Sequence, residues 1–432
     1  MGKKITRGSK LIGEHKVFQV CRFCSSPHIE KVIDLGNIPL AGGFLSKDTK
    51  QSEFEKEKCY PLQVFFCKDC YFLQVSSSIN PDVLFKNYFY FSSSIKTLVE
   101  HFKKNVEELR NIFSKPKATF VVEIGCNDGS FVTELQKNNF RALGVDPASN
   151  VVRPLKRKGL PVINAYFTEK LADRIVKKYG RADAIYSFHT LAHIEDIQDV
   201  YRGIKNLLKN DGFLAVEVHY LGNLINEMQF DMIYHEHQYY YSLIAFQNFL
   251  KQFYMEVFDV KLLPIRGGSI QFFVQNKQST KRREISSSVK KLLREEKKQE
   301  FDTVKRFKEY GKSIEKIKKN LIKILTDLNS KNKKIAGYGA SGRGTIVINF
   351  CGLDKKYLDY VIDDAPAKHG AFMPGTHAKI VSSQILNSAQ KPDYVLLFAW
   401  PFVEEIKKRQ ENYLRNGGKF IIPLPKVSVF SL

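Results

Sequence analysis

Twice in this chain an apolar strand runs into a glycine turn and then a helix, with a second, acid-ended strand beyond. The first copy is "ATFVVEIGCNDGSFVTELQ" (118–136), followed by "RALGVDP" with Asp146. The second is "KKIAGYGASGRG" (333–344), followed by "YLDYVIDD" with Asp363 and Asp364. A strand, a tight glycine turn, a helix N-terminus and an acid about twenty residues on form the first unit of a nucleotide-binding, doubly wound α/β sheet. Two such units commit the chain to two separate parallel sheets.

The two turns differ. Gly337, Gly339 and Gly342 spell the GxGxxG fingerprint, which alone suggests a dinucleotide and hydride transfer. The upstream turn, "EIGCNDG", has no third glycine to bring a helix N-terminus onto a pyrophosphate. That favours a nucleoside without phosphates, S-adenosylmethionine (SAM). Its expected contacts are Glu123, Gly125, Asn127, Gly129, Asp146 (on the ribose hydroxyls), Phe188 and His189. Further strands follow at "LPVINAYF", "RADAIYSF", "DGFLAVEVHY" and "VFDVKLLPIRGGSIQFFVQ". Helices separate the early strands, and the last strands pair directly. This order fits a class I methyltransferase domain over roughly 95–280. Residues 285–333 predict one or two long helices. Residues 333–427 predict a second, smaller Rossmann-like α/β domain.

Ahead of both sheets stand "CRFC" and "CKDC", carrying Cys21, Cys24, Cys67 and Cys70. Two Cys-x-x-Cys knuckles in a chain without a secretion signal predict metal rather than disulfides. Four thiolates leave no open coordination position, so the expected zinc is structural. Cys59 has no matching partner. The resulting architecture is a zinc-binding domain over 1–90, a SAM-binding domain over 91–280 and a helical connector with a C-terminal domain over 281–432.

The net charge of +23 admits nucleic acid or an anionic small molecule as partner. In 281–334, however, basic residues alternate with acids, the pattern of a solvated helix face. No apolar run reaches 18 residues, so no membrane span is expected. The basic N-terminal stretch lacks an apolar core, so a cytoplasmic location is expected.

The densest polar cluster is "FDMIYHEHQYYYSL" (230–243). His235 and His237 share a face only in an extended segment, and their spacing is not that of a helical zinc-protease motif. A histidine beside a carboxylate, here Glu236, suits proton transfer near neutral pH. His189 and His193, in "SFHTLAHIED", follow the fourth strand and so face the ligand crevice. In "NYFYFSSS", Tyr88 and Tyr90 alternate with Phe89 and Phe91, so one pair can line a pocket if the segment is extended.

Together the cysteine pairs, "YFYFSSS", "VVEIGCNDGSF", "LAHIED", "YHEHQYYYSL", "RGGSI", "GYGASGRG" and "VIDDAPAKHGAFMPGTHAKI" closely resemble the three-domain, SAM-dependent C-methyltransferases of nucleotide-linked keto-deoxysugars. The resemblance spans nearly the whole chain. It departs from the family pattern at "SFHT", where many members carry Asn before "LAH", and at Arg343, where some carry Lys. It implies a nucleoside diphosphate sugar in the cleft between domains. It implies His237 as base, with Tyr234 and Glu236 in the pocket, His193 near the substrate and Tyr88 or Tyr90 beside the sugar. Tyr88 and His193 would donate hydrogen bonds to the enolate oxygen. Tyr338, Ser341 and Arg343 are candidate diphosphate contacts, or the second loop is an inherited turn without ligand. A monomer that binds neither nucleic acid nor membrane is expected. The competing readings are a SAM-dependent O- or N-methyltransferase and a nucleic-acid methyltransferase.

Overall fold

The structure is a computed structural model that describes residues 9–12, 15–85 and 91–432. Its central sheet contains, in chain order, Phe120–Ile124, Arg141–Asp146, Val162–Asn164, Ala182–Phe188, Leu208–His219, Met255–Leu263 and Ser269–Asn276. Counted this way, the strands lie side by side as 3-2-1-4-5-7-6. The first five are parallel. The last two form an antiparallel hairpin, whose second strand also runs antiparallel to the fifth. Phe120–Ile124 is buried at every position because helices cover both faces. The order reverses between the first and fourth strands. Their carboxyl ends therefore open a crevice, and Gly125 and His189 leave the sheet there.

The C-terminal sheet repeats the plan as 3-2-1-4-5-6, starting from Ile335–Tyr338. Only its last strand, Ser428–Phe430, is antiparallel. Between the two sheets lie helices Ser287–Lys298 and Val304–Asn329. In the longer one, Phe307, Tyr310, Ile314, Ile317, Leu321 and Leu325 recur at three- and four-residue steps and are buried. Lys305, Lys308, Lys312, Lys316 and Lys319 are exposed. Most of the expected solvated charge therefore sits on the outer face of a packed helix.

The N-terminal region builds an antiparallel sheet from Ile29–Pro39, Cys59–Cys67 and Leu73–Val75. Its fourth strand comes from far along the chain. Tyr239 pairs with Gln74, and Tyr240 with Leu73. The polar cluster of 230–243 is thus stitched into the cysteine-bearing sheet by backbone hydrogen bonds. Cys21, Phe23, Cys67 and Phe72 also share one apolar core with Phe120, Val216 and Phe249 of the central domain.

The connector adds a second anchor. Glu296 is fully buried and accepts from the Leu243 and Ile244 amides, each at 2.8 Å, and from the Tyr220 hydroxyl at 3.1 Å. A carboxylate from a distant helix thereby caps Leu243–Leu250, the helix that directly follows the cluster. Burial pushes its carboxyl up to about 7. No helix among the described residues is long and apolar enough to cross a membrane.

Candidate active site

The four cysteine sulfurs of the knuckles converge. Cys21 Sγ lies 3.5 Å from Cys70 Sγ, and Cys24 Sγ lies 3.6 Å from Cys67 Sγ. All four sulfurs fall within 4.8 Å of one another. Sulfurs about 2.3 Å from a tetrahedral zinc stand roughly 3.8 Å apart, so this set fits the ion, whereas a disulfide needs about 2.05 Å. Cys59 is exposed and outside the cluster. Between Cys21 and Cys24, the buried Arg22 side chain donates to the Val75 carbonyl at 2.5 Å and to the Gln238 side chain. Phe23 stacks on Phe72 and meets Tyr239 edge-on. The knuckle therefore holds the residues that directly follow His237.

At the crevice of the central sheet lies a cavity of about 280 Å³. Gly125, Asn127, Asp146, Phe188 and His189 all line it. Asp146 Oδ2 accepts from the Asn127 amide at 2.9 Å, and Oδ1 accepts from the Ala148 amide at 2.8 Å. Each oxygen keeps a further lone pair, which suits ribose hydroxyls. Phe167, Phe188 and Ile124 supply apolar wall. This donor set and shape fit a nucleoside such as that of SAM.

Glu123 and Gly129 do not line that cavity. Glu123 is 2% exposed beneath the turn, and burial raises its carboxyl well above the usual range, with Asp146 and Asp128 adding to the effect. Gly129 has φ +72° and caps the following helix; a Cβ there would sit 2.5 Å from Leu160 Cδ2. Its glycine is required by backbone and packing.

Residues 234–236 form a turn, closed by the His237 amide donating to the Tyr234 carbonyl at 2.9 Å. The turn sends the two histidines apart. His235 Nε2 lies 3.2 Å from the Tyr60 carbonyl, in the cysteine-bearing sheet. His237 instead packs 3.9 Å from the Tyr234 ring centroid, 5.1 Å from His193 and 5.0 Å from His219. Among the described residues only the cysteine cluster has its donor atoms gathered as a metal site would, so the histidines form no such site.

Carbonyl partners decide the tautomers. His237 Nδ1–H donates to the Met232 carbonyl at 2.8 Å, which leaves Nε2 as a lone-pair acceptor in the neutral ring. His193 Nδ1–H donates to the Glu236 carbonyl at 2.7 Å. Burial lowers both rings, His193 to about 4 and His237 well below its ordinary value. His193 also lines the cavity at the sheet crevice. Glu236 presents its carboxylate toward Gly42, and burial raises it to about 7. Tyr88 and Tyr90 lie outside the described residues.

Three family models match the chain in succession. "Putative zinc binding domain" covers 21–85, "Methyltransferase domain" 98–257 and "C-methyltransferase C-terminal domain" 264–425. C-methyltransferase NovU of Streptomyces niveus is 31% identical over 411 residues, spanning 95% of this chain and 96% of that protein. This chain belongs to the C-methyltransferase family. Among solved structures, magnesium protoporphyrin IX methyltransferase of Synechocystis PCC 6803 is 15% identical, covering 41% of this chain and 83% of its own, with a TM-score of 0.32. The PH0226 protein of Pyrococcus horikoshii is 12% identical, covering 44% and 95%, with a TM-score of 0.33. Neither likeness at that level bears on function.

In this C-methyltransferase the second glycine loop is occupied by packing. A Cβ on Gly339, at φ +98°, would sit 2.8 Å from Ala399 Cβ. Ala41, from the N-terminal region, presses on Gly342 at the helix start and accepts from Thr345 Oγ1 at 3.3 Å. Ser341 caps the helix by accepting from the Gly344 amide at 3.2 Å. Tyr338 donates to Asp364 Oδ2 at 2.7 Å. Arg343 makes a two-point bond with the buried Asp231, Nε and Nη2 each 2.9 Å from a carboxylate oxygen. Trp400 Nε1 donates to the same carboxylate at 2.8 Å, and the guanidinium lies 4.9 Å from the Trp400 ring. These bonds give Tyr338, Ser341 and Arg343 structural partners within the chain.

The sequence reading missed Glu217, His219, His101 and Arg266. Glu217 and His219 sit two apart at the carboxyl end of the fifth strand, in "LAVEVHY", and so share a face. Two polar residues at that end of a buried strand were the available signal. Arg266 lines the cavity at φ +52°. After burial, its charge is the next largest influence that lowers His189.

Metal removal should be felt at the active site. Chelation is expected to release one zinc per chain, lower Tm and abolish methyl transfer together, because Arg22 and Phe23 anchor Gln238 and Tyr239. Metal analysis beside calorimetry checks this. Full activity after complete zinc loss would refute the coupling.

Proposed function

We propose that this enzyme transfers a methyl group from SAM to a carbon next to the ketone of a nucleoside diphosphate keto-deoxysugar. The observation that carries the reading is the tautomer of His237. A buried imidazole with Nδ1–H committed to a carbonyl presents an unprotonated Nε2, the form a base requires. The ring lies 5.1 Å from His193, a wall residue of the cofactor cavity.

A carbon acid flanked by a ketone loses its proton to such a base, and the electron pair spreads onto the carbonyl oxygen. SAM, when bound, supplies an electrophilic methyl. Asp146 and Asn127 would hold its nucleoside so that this methyl faces the carbon, and positioning then does much of the work. Tyr234, whose ring packs against His237, and Glu236, whose carboxyl lies beside Gly42, would orient the sugar. The diphosphate and the sugar are assigned by family resemblance.

The test needs no product. Wild-type enzyme with S-adenosylhomocysteine in deuterium oxide, given a panel of nucleoside diphosphate keto-deoxyhexoses, should place deuterium on the α carbon of one member. Methylation at oxygen or nitrogen without any exchange would overturn the reading in favour of an O- or N-methyltransferase.

A further inference from the structure

Removing a proton next to a ketone leaves negative charge on the carbonyl oxygen. An enzyme lowers that barrier by placing a positive group where the charge appears. The described residues that line the cavity include four carboxylates, Asp146, Glu195, Asp196 and Asp199, and, as the only Lys or Arg, Arg266. Burial keeps His193 and His237 neutral, and each commits its Nδ1–H to a carbonyl. The positive charge at this wall is therefore that of Arg266, and a guanidinium keeps it at every working pH.

Sheet order sets where that charge enters. Asp146 ends the second strand, whereas Arg266 lies in the turn between the sixth and seventh, Met255–Leu263 and Ser269–Asn276. In the order 3-2-1-4-5-7-6 the seventh strand stands four places from the second. At about 4.8 Å per strand, roughly 19 Å of sheet separates them. A nucleoside held by Asp146 thus has Arg266 beyond its far end, on the side where a methyl acceptor must lie.

The turn is built to hold a side chain still. Arg266, Gly267 and Gly268 have φ of +52°, +81° and +100°. Three left-handed residues in a row, one of them not glycine, persist only where neighbours fix them. Here the Gly268 amide and Ser269 Oγ both donate to the Ile265 carbonyl at 3.0 Å. The Tyr220 amide, at the end of the fifth strand, donates to the Gly268 carbonyl at 3.2 Å. A Cβ on Gly268 would sit 2.3 Å from Asn223 Nδ2, so the turn packs directly on helix Leu221–Asn226. Buried Gln229 donates from Nε2 to the Gly267 carbonyl at 2.8 Å, and Gln229 opens the segment that runs through Met232 to His237. One hydrogen bond thereby ties the turn that carries Arg266 to the segment that carries the base. After burial and the neighbouring histidines, the charge of Arg266 is among the influences that lower His193, His219 and His237, so it is felt at the base.

We propose that Arg266 is the catalytic cation that binds the carbonyl oxygen of the substrate and stabilises its enolate. The assignment rests on the keto-sugar reading and on His237 as base. An Arg266 N–H donates to the oxygen throughout and keeps its proton. As His237 Nε2 takes the α proton, the C–H electron pair forms the enolate double bond and the carbonyl π pair moves onto oxygen, beside the guanidinium. When the carbon takes up the methyl, a carbon–carbon bond forms, the ketone re-forms, and the pair of the broken carbon–sulfur bond stays on sulfur. The cation matters most while charge sits on oxygen, so it raises kcat rather than ground-state binding.

Arg266→Gly is the informative variant, because glycine adopts φ +52° freely and the turn keeps its backbone bonds. With S-adenosylhomocysteine bound, α-carbon deuterium exchange should fall by about 10²- to 10³-fold, and kcat with it, while KM and S-adenosylhomocysteine affinity stay within about twofold. Millimolar guanidinium should restore exchange in this variant, a response that lost packing does not produce. Arg266→Gln keeps the stem and should show the same loss without rescue; it decides the matter if Arg266→Gly fails to fold. Exchange at the wild-type rate in either variant would overturn the assignment. So would a loss confined to KM, the mark of a diphosphate contact, or one confined to S-adenosylhomocysteine affinity, the mark of a cofactor carboxylate contact. His237→Asn run alongside separates the two ideas. If it loses exchange while Arg266→Gly keeps it, the cation alone falls; if it keeps exchange, the base reading and this assignment fall together.

Discussion

His237→Asn should lower kcat by about 10²- to 10⁴-fold, the usual worth of a positioned general base, and should leave SAM binding intact. Asparagine can still donate to the Met232 carbonyl, so the turn that carries the residue keeps its hydrogen bond. What is lost is the acceptor lone pair on Nε2. The loss should therefore appear in both methylation and α-carbon deuterium exchange, by the same factor. The pH dependence has a definite sign. Burial, then the neighbouring His193, lowers the folded pKa of His237, so the neutral base persists on acidification. The acid limb assigned to it should lie below the ordinary histidine value of ~6.5. Undiminished exchange and turnover in the variant would remove His237 from the mechanism.

Asp231→Ala should cost about 3–5 kcal/mol of folding stability. Asp231 is wholly buried and satisfies three donors at once, Nε and Nη2 of Arg343 and Nε1 of Trp400. Truncation strands a largely buried guanidinium and an indole N–H, and it unpins the C-terminal sheet from the segment that carries Met232 and His237. Urea unfolding measures the loss. The variant also discriminates between two roles for Arg343. Were the guanidinium a diphosphate ligand, freeing it from Asp231 would tighten nucleotide-sugar binding at unchanged stability. That result would return the second glycine loop to the substrate site.

How much of this was legible beforehand depends on the range of the signal. The cysteine pairs are local, and four soft thiolates in two knuckles have few other uses. The strands of both sheets are local too, because each is a short apolar run bounded by turns. The strand 3-2-1-4-5-7-6 order was approached through the missing helix before the last hairpin. The "YHEH" segment was legible as a polar cluster but not as a geometry. Its turn sends His235 to Tyr60 and His237 to His193, and nothing in four letters separates those destinations. Glu217 and His101 were illegible as a pair because they stand 116 positions apart in the chain.

The sequence by itself determined the α/β class, the two glycine-turn sheets, the thiolate set and a short list of candidate bases. Periodicity, turn chemistry and ligand type act over a few residues and can be seen in the order of letters. Only the tertiary structure decided which face each group presents. It turned Arg343 toward Asp231, filled the GxGxxG loop with Ala41 and Ala399, and set the proton of His237 on Nδ1 through the Met232 carbonyl. Those outcomes depend on which neighbours burial brings within hydrogen-bond distance, and contacts between distant segments are made only when the chain closes on itself.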